Sequence, residues 1–197
     1  MNRNEIVRLS RQYGGAWIVN HAQRLLKLME TIAEDLEYDR DVVWIAAYLH
    51  DWGACPEWAR EGVSHCRRSR EVAKAYLEKA DCPAKWVGPV LEAIEFHHGG
   101  GAGRAVETLL LGDADALDSL GVVGVLKEFA MIPAGLSGDY CLPRAFGMRE
   151  AYERIRLRRE NLPRLLRLEK SRALAAARLA DMDRIFEWLE RDSFGKL

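Results

Sequence analysis

The sequence predicts an all-α protein that folds as a single domain over residues 1–197. Apolar residues recur at spacings of three and four, as they do on the buried face of a helix, and no alternating run of useful length indicates a strand. A chain of this length can bury one substantial core. We therefore expect a helical bundle with its core at about residues 16–130 and further helices at about 144–192.

The first two predicted helices carry the first chemically distinctive residues. The helix at about 16–36 has an apolar face made of Trp17, His21, Leu25, Leu28 and Ile32. The helix at about 41–50 is apolar nearly all round, which is typical of a central, buried helix. Because Gly53 breaks the chain shortly afterwards, His50 and Asp51 are expected at a helix C-terminus, where adjacent side chains can reach one ion.

Three more helices are predicted before a loop at 132–143, which holds glycine and proline. Ser64 is expected to cap the third helix. The fourth helix reaches His97 and His98 and stops at three consecutive glycines, Gly99–Gly101. The fifth, at about 104–120, carries three aspartates: Asp113, Asp115 and Asp118.

Composition argues against several classes of protein. The net charge of −1 gives no sign of a nucleic-acid or membrane-surface partner. No apolar run approaches the roughly 20 residues needed to span a bilayer, and the N-terminus lacks the apolar segment of a secretory signal. The four cysteines lack CxxC spacing, which is typical of reduced thiols in the cytoplasm. We therefore expect a cytoplasmic protein with no membrane or nucleic-acid partner.

The predicted C-terminal helices are rich in arginine. The segment from Arg144 to Arg178 contains eleven basic and four acidic residues. Such a run usually forms a solvated helix face. A surface that attracts phosphorylated ligands is the alternative interpretation.

Four residues with metal-ligating side chains are predicted near helix ends or on apolar helix faces: His21, His50, Asp51 and Asp115. Imidazole and carboxylate are the side chains that a divalent metal uses in hydrolysis. Burying them without charge compensation would be costly, and a shared metal removes that cost. Cys66, beside His65, is expected to be a buried or bystander thiol, with a soft metal ligand as the alternative.

The order of these residues resembles that of the HD superfamily, over the stretch from His21 to about Gly124. The matching segments are VNHAQRLLKLM, AAYLHDWG, VSHCRRSREVAKAYL, AIEFHHGG and LLLGDADALDSLGVVGV. The last of them, and the tail ARLADMDRIFEWLERD, look particularly like stand-alone bacterial HD-domain phosphohydrolases. The resemblance implies an HD-type helical bundle with an arginine-rich C-terminal helical extension.

The same resemblance implies roles for individual residues. The ligands of a first metal would be His21, His50, Asp51 and Asp115. A second metal would use His65 and His97, with Asp51 able to bridge the two ions. The ions would be one or two of Mn, Fe, Mg, Co or Ni. Trp52 departs from the family pattern, in which a small aliphatic residue is common, and is expected to shape the pocket.

The chemistry expected of this site is hydrolysis of a phosphoester or phosphoanhydride by metal-activated water. Asp51, His65 and His97 are the predicted catalytic residues, and His65 or His97 would protonate the leaving oxygen if it is not a ligand. The predicted contacts to substrate phosphate are Arg67, Arg68, His98 and Arg104. Asp118 would support Asp115 from the same helix face.

The predicted function is a phosphohydrolase acting on a small phosphorylated substrate, above all a nucleotide, and the sequence also allows a homodimer. Two other classes stay open. Some HD-fold proteins are di-iron oxygenases with the same ligand order, which this chain would fill with His21, His50, Asp51, His65, His97 and Asp115. The third class is a non-catalytic metal- or nucleotide-binding signalling module.

Overall fold

The computed structural model describes residues 1–99, 103–131 and 148–196. Over these ranges the chain forms helices and no β-strand, which confirms the predicted all-α class. The helices are α1 (Arg3–Ile32), α2 (Arg40–Leu49), α3 (His65–Lys79), α4 (Ala84–Phe96), α5 (Val106–Asp118), α6 (Gly121–Met131), α7 (Met148–Leu165) and α8 (Glu169–Asp192), with one 3-10 turn at Trp52–Ala54. The predicted loop at 132–143 lies outside the described residues.

Helix α1 begins at Arg3, thirteen residues before the predicted start at about residue 16. The side chain of Asn2 accepts hydrogen bonds from the backbone N–H groups of Asn4 and Glu5 and so caps the helix. The helix is interrupted by Gly15, whose φ of 67° lies in the left-handed region that glycine adopts readily. The extension is part of the core, since Ile6 is fully buried.

Two compact units are present, Met1–Asp115 and Ala116–Leu197. In the first unit, α2 packs against α1 and α4, and α3 packs against α4 and the 3-10 turn. Seven of the ten residues of α2 are buried, as predicted for a central helix. Asp39 caps α2 by accepting from the N–H groups of Asp41 and Val42, and its other carboxylate oxygen accepts from Trp86 Nε1 on α4.

Trp52 lies in the core of the first unit. Its side chain is 1% exposed, and its Nε1 donates to Ser10 Oγ on α1 at 2.9 Å. Its ring makes edge contacts with those of Tyr13 and Tyr76. Trp52 therefore holds the turn that follows His50 and Asp51 against α1 and α3.

In the second unit, α6 packs on α7 and α8. Glu128 on α6 is 1% exposed and pairs with Arg154 at 2.9 Å and Arg158 at 2.6 Å. Arg159 pairs with Asp183, and Arg178 donates to the backbone oxygen of Leu117. Four arginines of the segment from Arg144 to Arg178 therefore make contacts within this unit, instead of only facing solvent.

The division of the chain into a core at about 16–130 and C-terminal helices at about 144–192 stays a prediction. Among the described residues, the structure contains no helix that is both long enough and apolar enough to span a membrane.

Candidate metal centre

The four predicted ligands of a first metal converge in the first unit. His21 lies on α1, His50 directly follows α2, Asp51 comes next, and Asp115 lies on α5. The Nε2 atoms of His21 and His50 are 3.3 Å apart. Asp51 Oδ2 lies 3.4 Å from His50 Nε2 and 3.7 Å from His21 Nε2. Asp115 Oδ1 lies 3.2 Å from His21 Nε2.

These spacings fit a shared ion. Neighbouring ligand atoms bound to one divalent cation at about 2.0–2.2 Å lie roughly 2.8–3.1 Å apart in octahedral geometry and roughly 3.3–3.6 Å apart in tetrahedral geometry. The separations among His21, His50 and Asp51 run from 3.3 to 3.7 Å without any rearrangement of the side chains. The donor set of imidazole nitrogen and carboxylate oxygen suits a divalent cation as well.

The backbone at two helix ends orients His50 and His97. His50 Nδ1 lies 2.9 Å from the carbonyl oxygen of Ala47, and His97 Nδ1 lies 2.7 Å from that of Ile94. Because a carbonyl oxygen only accepts, Nδ1 carries the proton in each ring. In the neutral imidazole, Nε2 then keeps a lone pair that can bind a metal.

The carboxyl groups of Asp51 and Asp115 are ionised at neutral pH. Burial raises the pKa of Asp51, but the neighbouring His50 and His21 outweigh it and hold this pKa well below its ordinary value. Burial also acts on Asp115, where His21 and His98 likewise leave the pKa well below its ordinary value. Two carboxylates thus face the same group of imidazoles, an arrangement whose negative charge a divalent cation would balance.

A second group of possible ligands lies beside the first. His65, Cys66, His97 and His98 each offer a ligand atom within 4.8 Å of the others. Cys66 Sγ is 3.3 Å from His65 Nε2 and 3.9 Å from His97 Nε2. Cys66 is the member that the sequence interpretation left as a bystander. Burial raises the pKa of its thiol, but hydrogen bonds to His65, His97 and His98 outweigh burial and lower this pKa.

Asp51 and Asp115 face both groups. Asp51 turns Oδ2 toward His21 and His50, and its Oδ1 lies 3.9 Å from His65 Nε2. Asp115 turns Oδ1 toward His21, and its Oδ2 lies 2.9 Å from His98 Nε2. His98, whose side chain is 51% exposed, therefore has a carboxylate partner as well as access to solvent.

Two glycines allow the elements that carry these side chains to approach closely. A Cβ on Gly53 would lie 2.2 Å from the backbone nitrogen of Ser69, so the turn after Asp51 can contact α3 only without a side chain there. A Cβ on Gly112 would lie 2.5 Å from the carbonyl oxygen of His97. Because Asp115 follows Gly112 by about one helical turn, this approach brings Asp115 to the end of α4.

The three arginines predicted to contact phosphate have other partners. Arg68, 11% exposed, donates from Nε to the carbonyl oxygen of Trp58 at 2.6 Å and from a terminal nitrogen to Glu71 at 2.9 Å. Arg67 is 73% exposed, with Glu71 at 3.9 Å. Arg104 lies over the ring of Phe96 and 3.8 Å from Glu92.

The two other aspartates of α5, Asp113 and Asp118, are both buried. Asp118 is 1% exposed and lies 3.4 Å from Lys127 Nζ. Asp113 is 2% exposed. The predicted support of Asp115 by Asp118 stays a prediction.

Comparison with known proteins identifies relatives of the chain. The model of the HD domain family matches residues 18–120. Ribonuclease Y of Enterococcus faecalis is 31% identical over 105 residues, which are 53% of this chain but only 18% of that protein. The chain thus spans less than a fifth of the length of this curated relative.

Solved structures with a similar fold cover nearly the whole chain. YpgQ of Bacillus subtilis, crystallised in complex with ADP, is 22% identical with a TM-score of 0.68, covering 96% of this chain and 93% of YpgQ. An HD-superfamily hydrolase of Bacillus thuringiensis is 19% identical with a TM-score of 0.67, covering 98% and 97%. A Lactobacillus plantarum protein is 19% identical with a TM-score of 0.69, covering 100% of both chains.

Proposed function

Because this chain belongs to the HD domain family and has the fold of HD-superfamily hydrolases, we propose that it is a metal-dependent phosphohydrolase. Its substrate in this proposal is a nucleotide or another small phosphoester or phosphoanhydride. The observation that carries the proposal is the position of Asp51, which presents one carboxylate oxygen to His21 and His50 and the other to His65.

The side chains that would hold the metal are of the types that bind a divalent cation. His21, His50 and Asp51 would bind a first divalent cation, because their nitrogen and oxygen atoms already lie at the spacing of a shared ion. Asp115 would be the fourth ligand, and its Oδ1 lies 3.2 Å from His21 Nε2. His65 and His97 would contribute to a second position. When bound, such a cation lowers the pKa of coordinated water toward neutrality and offsets charge on phosphoryl oxygens.

The protein's own groups prepare the site for in-line attack on phosphorus. The carbonyl oxygens of Ala47 and Ile94 hold the rings of His50 and His97 with Nε2 toward the centre. His98 Nε2 donates to Asp115 Oδ2 and so keeps Oδ1 directed at His21. If only the first cation is bound, His65 Nε2 is the proposed donor of a proton to the leaving oxygen.

The nucleotide character of the substrate is supported by one relative, since YpgQ was crystallised with ADP. Arg67, Arg104 and the exposed edge of His98 stay the proposed phosphate contacts. Arg68 differs from them because its guanidinium is already held by Trp58 and Glu71. For Arg68, phosphate binding would compete with these two contacts.

The test is release of phosphate or pyrophosphate by the full chain after chelation and metal replacement. The panel consists of nucleoside mono-, di- and triphosphates and p-nitrophenyl phosphate, each with Mn²⁺, Fe²⁺, Mg²⁺, Co²⁺ or Ni²⁺. We expect the stripped protein to be inactive and at least one metal to restore turnover of a nucleotide. Failure of every metal on every substrate would refute the proposal. Oxygen uptake with iron, without phosphate release, would instead favour the di-iron oxygenase.

A further inference from the structure

Cys66 occupies a position that the proposed chemistry does not use. It is the second residue of α3 and is buried beside His65, with the C-terminal end of α4 against it. Its Sγ lies 3.3 Å from His65 Nε2 and 3.9 Å from His97 Nε2. Three side chains from two helices thus direct one sulfur and two nitrogens at the same small volume.

The distances match those of a mixed sulfur and nitrogen site. A tetrahedral ion with a sulfur at about 2.3 Å and nitrogens at about 2.0–2.1 Å separates sulfur from nitrogen by roughly 3.5 Å. The two observed separations, 3.3 and 3.9 Å, lie on either side of that value. His97 can supply Nε2 because its Nδ1 already donates to the carbonyl oxygen of Ile94.

We propose that Cys66 Sγ is a direct metal ligand, and that His65, Cys66 and His97 form a second cation site with nitrogen and sulfur ligands. A tetrahedral ion has a fourth position beyond these three ligands, and Asp51 Oδ1, 3.9 Å from His65 Nε2, would fill it if Asp51 bridges the two ions. His98 stands at the edge of the site, held by Asp115. The inference builds on the second metal position of the proposed function, but it concerns binding and can be tested without turnover.

A thiolate ligand changes which ion the second position accepts. Thiolate favours Zn²⁺, Fe²⁺ and Co²⁺, whereas Mg²⁺ and Mn²⁺ prefer oxygen ligands. The first group, with two imidazoles and carboxylates, has no sulfur ligand among the described residues. The two positions therefore differ in chemistry, and a protein loaded with both Mn²⁺ and Zn²⁺ would carry zinc at His65, Cys66 and His97.

Cobalt reports the sulfur ligand directly, because Co²⁺ bound to thiolate shows a sulfur-to-metal charge-transfer band in the near ultraviolet. The reduced, metal-free full chain is titrated with Co²⁺ without oxygen, and Zn²⁺ is then added as competitor. Wild type and Cys82→Ser are expected to show the band, and Zn²⁺ to remove it. Cys66→Ser is expected to lack the band and to lose more than about 100-fold in affinity at this position, since even outer partners of a ligand cost about 10- to 100-fold.

A variant that keeps Cys66 as its only thiol guards against loss of folding in Cys66→Ser. The triple variant Cys55→Ser/Cys82→Ser/Cys141→Ser must retain the band. Absence of the band from wild type, or its persistence in Cys66→Ser, would overturn the inference. Metal-dependent turnover without the band would refute Cys66 as a metal ligand but leave the proposed hydrolase function standing. The band without any turnover would support the ligand and count against the hydrolase.

Discussion

Asp51→Asn is expected to lower kcat/KM for phosphate release by about 1000-fold or more and to reduce the metal content of the purified protein. The substitution keeps the shape of the side chain but removes its negative charge and one of its two acceptor oxygens. Those oxygens face His50 and His21 on one side and His65 on the other. Losing metal-based stabilisation at this point removes the largest contribution to the proposed chemistry.

Asp41→Asn is the matched control for this measurement. It makes the same chemical change in the first turn of α2, where Asp41 pairs with Arg3 at the surface. Kinetics and metal content of this variant should stay within about twofold of wild type, because an exposed ion pair contributes little. Equal activity in Asp51→Asn and Asp41→Asn would remove Asp51 from the mechanism.

Gly53→Ala is expected to destabilise the protein by more than about 3 kcal/mol, above the usual cost of overpacking. The new methyl group would stand 2.2 Å from the backbone nitrogen of Ser69 and 2.6 Å from the carbonyl carbon of Arg68. A backbone atom cannot rotate away as a flexible side chain can, so the turn after Asp51 must move away from α3. That movement would also break the hydrogen bond from Gly53 N–H to Ser69 Oγ.

Urea unfolding followed by circular dichroism measures the effect of Gly53→Ala on the free energy of unfolding. Gly99→Ala is the control, because a Cβ at Gly99 would meet nothing within 4 Å and its φ is not left-handed. The control should stay within about 0.5 kcal/mol of wild type, as expected for an open position. A stability of Gly53→Ala close to that of Gly99→Ala would show that the contact with α3 is looser than the geometry implies.

The difference between His97 and His98 shows what periodicity can predict. Adjacent helical residues point about 100° apart, so only one of the pair was expected at the metal. His97 is buried, and its Nδ1 donates to the carbonyl oxygen of Ile94, an arrangement that suits a metal ligand. His98 was expected to contact substrate phosphate. Its contact with Asp115 depends on the close approach of α5, which Gly112 allows. Spacing along one helix carries no information about such a neighbour.

Cys66 and Arg68 illustrate the same limit in α3. The proximity of Cys66 to His97 arises from the packing of α3 on α4, which the spacing of residues within α3 does not reveal. One of the two partners of Arg68 is the backbone oxygen of Trp58, a group that every residue possesses and no sequence pattern marks. The set of His21, His50, Asp51 and Asp115 was more predictable, because its order resembles that of the HD superfamily and its members were expected on apolar faces or near helix ends.

Anomalous X-ray diffraction at the absorption edge of the bound metal tests directly whether His21, His50 and Asp51 hold a divalent cation. Crystals of the full chain loaded with Mn²⁺ would be measured above and below the manganese edge. We expect an anomalous peak about 2.0–2.2 Å from His21 Nε2, His50 Nε2 and a carboxylate oxygen of Asp51. Manganese bound elsewhere while these three side chains hold no ion would contradict it.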